Sequence, residues 1–155
     1  MRSLCLTISR FAISAWVGAA SLFVVTTLKE VRSPQLDSVT KAELAVLRFP
    51  VYYTFAFSLI AVALVLAAAS LQSISPRRRW GAISLVLFAF LLSVVDYVWI
   101  YKPLEAMTAI VDQSRPAEFV TYHRASKWIN SVQVSVSAVA ALAICWPVPE
   151  KKESS

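Results

Sequence analysis

The chain has 155 residues, 58% of them hydrophobic and 15% charged, with a mean hydropathy of +0.65. An ordinary soluble domain is about 45–50% apolar and about 25% charged, so this composition excludes intrinsic disorder and argues against an aqueous globule. The 15 Lys and Arg against 9 acids give a net charge of +6, and because the charges sit between long apolar runs they point to a membrane surface rather than to nucleic acid.

Four stretches reach the ~17–25 residues a helix needs to cross hydrocarbon. Residues 1–10, with Arg2 and Arg10, form a tail, and residues 11–28 form a first span without charge. Its apolar run continues through Phe23, Val24 and Val25 to Leu28. That is longer than the core of a secretory signal, so an uncleaved anchor is expected. Residues 41–49 read as a short amphipathic helix feeding the second span, 51–71, with Pro50 just inside the membrane. A turn carrying Arg77, Arg78 and Arg79 leads to the third span, 80–101, whose one charge is Asp96. Pro116 suits a first helical position, so residues 114–122 open the fourth helix early. The fourth span is 128–146, and residues 148–155 are a polar tail. Each span must be a helix, because in lipid the backbone has to bond within its own segment.

The expected fold is therefore all-α: a four-helix transmembrane bundle occupying residues 11–147, N-in/C-in, with cytoplasmic tails at 1–10 and 148–155. Basic density sets this orientation: seven Lys and Arg in 27 inner positions against eight in 46 outer ones. Tyr52, Tyr53, Tyr97, Trp99, Tyr101, Tyr122 and Trp128 are expected at the outer interface, with Trp80 and Trp146 at the inner one. In the first span Ser14, Gly18 and Ser21 make a small-residue face suited to close helix approach.

Chemistry-bearing spacings are few. Phosphate loops, nucleophile elbows and metalloprotease helices are absent from the sequence, and its two glycines, Gly18 and Gly81, cannot build a phosphate cradle. Cys5, Cys145 and one His cannot form a disulfide framework or a four-ligand zinc site. No cofactor and no metal is implied. What stands out is a polar stripe on the fourth helix. Phe119, His123, Ser126, Asn130, Gln133 and Ser137 recur at steps of four and three, which places them on one face. Such a stripe turns to its neighbours, either as interhelical hydrogen bonds or as a polar pocket. Asp96 lies five residues before Tyr101 and must be protonated or partnered. His123, Ser126, Asn130 and Gln133 are the groups expected to form a pocket with it, functional or a structural clamp.

The segment 119–130, with Phe119, His123, Ser126 and Asn130, resembles the opening of the last helix in the transmembrane protein 205-like family. Phe49, Pro50 and Tyr53 resemble the start of its second span, and Asp96, Trp99 and Pro103 the exit of its third. The resemblance covers roughly residues 41–147 and implies a four-span membrane protein without an established catalytic activity. The expected role is non-enzymatic: binding or passing a small solute or ion through an outward-facing polar pocket, or supporting a membrane complex. The alternative is a membrane-embedded enzyme acting on a lipid or quinone-like molecule, with Asp96 and His123 as acid and base. Expected partners are the lipid bilayer and a second copy or another membrane protein, and nucleic acid is not among them. The expected location is a multi-pass position in the plasma membrane, the inner membrane in a bacterium.

Overall fold

A computed structural model describes residues 2–70, 76–108 and 118–146. Its elements are α1 (Arg2–Arg32), α2 (Ser38–Ser70), α3 (Pro76–Val95), a π-helical turn (Asp96–Tyr101), α4 (Lys102–Thr108) and α5 (Glu118–Cys145). The π-helical turn and α4 continue α3, so four rods result, each long and apolar enough to cross a membrane. No strand occurs among the described residues. The proposed start of the fourth helix at 114–117 lies outside them, as does the C-terminal tail at 148–155.

The helices overrun the apolar spans because polar segments at their ends carry helix-forming signals of their own. The amphipathic stretch 41–49 is not a separate helix. It is the first third of α2, with Pro50 inside one continuous rod. Asp37 starts that rod by accepting the Thr40 amide at 2.7 Å, while its own carbonyl accepts the Lys41 amide. The bonds from Thr40 to the ionised carboxylate hold the Asp37 carboxyl below its ordinary value. Lys41 Nζ donates to the Val31 carbonyl at 3.1 Å, and Arg48 pairs with Glu30, so the hairpin between α1 and α2 is tied twice.

The rods pack as a square, with α1 and α3 each lying against both α2 and α5. Toward one end the core is built of alanine: Ala63 and Ala67 on α2, Ala82 on α3 and Ala140 on α5 are all buried. Small residues let backbones approach where apolar burial gives no advantage over lipid. Ile13, Ile60, Val86 and Ile144 fill the remaining space. Toward the other end the core is aromatic. Tyr53 meets Tyr97 and Tyr101 at ring separations of 5.0 and 4.8 Å, and Tyr52 meets Trp16 and Phe23 at 5.2 and 4.4 Å.

Two expectations are corrected here. The Ser14, Gly18, Ser21 face of α1 is exposed, and a Cβ added at Gly18 would meet nothing within 4 Å. The opposite face is buried instead, through Ser9, Ala12, Ile13, Trp16 and Ala20. Trp16 decides the rotation, since its large ring fills the space beside Tyr52 that small residues would leave empty. The aromatic residues also divide. Trp80, Trp99, Trp128 and Trp146 are exposed, as an interfacial belt requires, but Tyr52, Tyr53 and Tyr101 are buried in the core.

The basic residues at the alanine end do more than set charge. Arg10 Nε donates to the Ile144 carbonyl at 3.1 Å. Arg78 donates to the Ala143 carbonyl through Nε and Nη2 at 3.2 and 3.0 Å, and also bonds the Trp146 carbonyl. The last carbonyls of α5 thus receive cationic donors where the helix itself provides none.

Candidate functional site

Asp96 opens the π-helical turn and is 1% exposed. The turn has a local cause. Pro103 lacks an amide hydrogen, and in a continued α-helix its ring would press on the carbonyl of Trp99, four residues back. Winding with i→i+5 bonds avoids that conflict, and the Lys102 amide bonds the Tyr97 carbonyl in this way. The buried face of α3 runs Ala82, Val86, Ala89, Ser93, Asp96 at steps of four and three. Beyond Asp96 the wider turn adds both Ile100 and Tyr101 to it.

Three helices meet at the carboxyl. The Tyr53 hydroxyl of α2 donates to Asp96 Oδ2 at 2.6 Å, and Asn130 Nδ2 of α5 donates to the same oxygen at 2.5 Å. The Ser126 hydroxyl joins the cluster through Asn130. Asn130 Nδ2 lies 3.0 Å from the Ser126 carbonyl and 3.1 Å from its hydroxyl, while Asn130 Oδ1 accepts the Tyr52 hydroxyl at 3.0 Å. Both identified donors therefore converge on Oδ2. Asp96 Oδ1 is buried without a hydrogen-bond partner, and among the described residues no Lys, Arg or His pairs with the carboxylate.

Of the residues singled out in the sequence, Asp96, Ser126 and Asn130 stand together. Gln133 is on the same face one turn further and is buried, as is Ser137, whose hydroxyl donates to the Gln133 carbonyl. His123 is exposed and stacks on Phe119 at 5.8 Å, nearly parallel. Trp99 is exposed, Pro50 lies on the exposed side of α2, and Phe49 packs against Phe23 and Tyr101. Tyr52 and Tyr53 are the participants missed in sequence. Their signal was the spacing of Tyr53, Ala56, Ile60, Ala63 and Ala67, whose steps of three and four place Tyr53 on the core face of α2.

Asp96 is buried, while Asn130 beside it is half-buried. A groove of about 350 Å³ between α1 and α2 is lined by Trp16, Phe23, Arg48, Tyr52 and Phe55 among others. The Tyr52 ring is one wall of this groove, and its hydroxyl bonds the cluster behind it. No group of three or more His, Cys, Asp or Glu suited to a metal ion occurs among the described residues.

No family model, curated protein or solved structure matches the chain.

Proposed function

We propose that this is a multi-pass integral membrane protein that binds a proton at Asp96, exchanging it from the aromatic end of the bundle. One observation carries the reading. A carboxyl buried among four apolar helices is served by neutral donors on one oxygen, has no countercharge, and leaves its second oxygen open. An ionised carboxylate in that setting is costly, and a proton on Oδ1 removes the charge while keeping both bonds to Oδ2. The groups that bond Asp96 from α2 and α5 are Tyr53 and Asn130, with Ser126 beside Asn130, all uncharged in the neutral range. With the basic end of the bundle on the cytoplasmic side, the aromatic end faces outward.

The test is modification by dicyclohexylcarbodiimide, an apolar electrophile to which a protonated carboxyl group adds. In protein reconstituted in liposomes, labelling should map to Asp96 by peptide mass, fall as pH is raised, and vanish in Asp96→Asn. Folded protein whose Asp96 stays unlabelled at every pH, or is labelled independently of pH, would overturn the reading.

A further inference from the structure

The hydrogen-bonded cluster ends in atoms that have nothing to bond. Gln133 is 1% exposed, and both its amide nitrogen and its amide oxygen lack a hydrogen-bond partner. Trp16 is also 1% exposed, with Nε1 unpartnered, and Asp96 Oδ1 is the third such group. All three border Asn130 or its partners. Asp96 is bonded to Asn130, Gln133 follows it by three residues on α5, and the Trp16 ring lies against Tyr52, which bonds Asn130. Gln133 shares the buried face of α5 with Ser126 and Ser137, one turn from Asn130. A carboxamide buried with neither end satisfied is strongly disfavoured in a membrane bundle.

We propose that Gln133 and the Trp16 indole hold internal water that bonds Asp96 Oδ1, making the cluster a hydrated proton site rather than a dry interhelical clamp. The inference rests on the reading of Asp96 as a proton-binding group and names the carrier that delivers the proton. A buried water typically makes about three hydrogen bonds to otherwise unsatisfied groups. Here the carboxamide offers a donor and an acceptor, the indole a donor, and Oδ1 an acceptor, or a donor when protonated. The water has one outlet. Asn130 is half-buried and Ser126 lies at the limit of burial on the aromatic side. Toward the basic end Ile13, Ile60, Val86, Ala140 and Ile144 close the bundle, and α5 runs about 18 Å from Gln133 to Cys145 at 1.5 Å per residue. Water at Gln133 therefore serves exchange with one side and does not complete a channel.

Infrared spectroscopy of the full chain in liposomes tests this through the C=O stretch of protonated Asp96, identified as the band lost in Asp96→Asn. On transfer to D2O the wild-type band should shift promptly. In Gln133→Leu it should shift about tenfold more slowly, consistent with the loss of a bridging hydrogen bond, and start at a higher frequency. Trp16→Phe keeps the ring against Tyr52 and removes only the N–H. It should raise the band frequency by itself, so the proposal stays testable if Gln133→Leu fails to fold. A wild-type band whose position and exchange rate are unchanged in the folded variants would overturn the water and leave the protonated carboxyl standing. Absence of any Asp96-dependent band would overturn both.

Discussion

The Tyr53 hydroxyl of α2 donates a 2.6 Å hydrogen bond to Asp96 Oδ2 at the start of the π-helical turn. Its neighbour Tyr52 serves a different helix, donating at 3.0 Å to Asn130 on α5. Adjacent residues on a helix point about 100° apart, so two consecutive tyrosines can reach two different neighbours from one turn of α2. The result is a joint in which α2, α3 and α5 are held by one carboxyl and one carboxamide.

Removing the Tyr53 hydroxyl alone separates structure from chemistry. Tyr53→Phe keeps the ring contacts with Tyr97 and Tyr101 and deprives Oδ2 of one donor. Thermal unfolding in detergent should show a loss of about 1–3 kcal/mol. Asp96→Asn should cost less, because an amide oxygen can accept the same two bonds, yet it should abolish proton binding. Equal stability of Tyr53→Phe and wild type would mean that the phenol does not support the joint.

The existence of the four rods was legible because their apolar runs are long, and Asp96 with Asn130 because both lie at matching depth on facing helices. The tyrosine partners were harder to see. An aromatic residue near a span's end fits a lipid interface and a bundle core equally well, and only the spacing with Ala56 and Ile60 separates the two. The π-helical turn left no periodic trace beyond Pro103 and the five-residue interval from Asp96 to Tyr101. The packing face of α1 was misjudged for a physical reason. In lipid both faces of a helix are apolar, so polarity cannot sort them, and the volume of Trp16 decides.

The turn itself should respond to Pro103. With Pro103→Ala the amide is restored and the steric conflict with the Trp99 carbonyl disappears. Residues 97–102 should then shift toward i→i+4 bonding, and their amides should exchange hydrogen more slowly by mass spectrometry. Exchange unchanged in the variant would assign the turn to the Asp96 contacts rather than to the proline.

Corrected packing of α1 gives opposite expectations for two small residues two positions apart. Gly18 has open space around its missing side chain, whereas Ala20 is fully buried. Gly18→Leu should leave folded yield and melting temperature in detergent close to wild type. Ala20→Leu should cost about 1–3 kcal/mol through overpacking. A large loss for Gly18→Leu would place that face in contact with a second copy or a partner rather than with lipid.

The three consecutive arginines offer a comparison at nearly constant charge. Arg78 reaches the Ala143 and Trp146 carbonyls at the end of α5, while Arg77 beside it is exposed. Both contribute equally to a charge count, so a role limited to membrane orientation would make Arg77→Gln and Arg78→Gln equivalent. Capping predicts otherwise. Loss of the Arg78 guanidinium leaves the last carbonyls of α5 with fewer donors at a membrane edge and removes a cation from the negative end of the helix dipole. A favourable charge there is worth about 0.3–1 kcal/mol. Hydrogen exchange over residues 140–146 should therefore rise in Arg78→Gln and stay near wild type in Arg77→Gln. Arg10 supports the neighbouring Ile144 carbonyl, so Arg10→Gln combined with Arg78→Gln should fray the helix end more than either change alone. Exchange that rises equally for Arg77 and Arg78 would reduce the triplet to a charge signal and remove the cap.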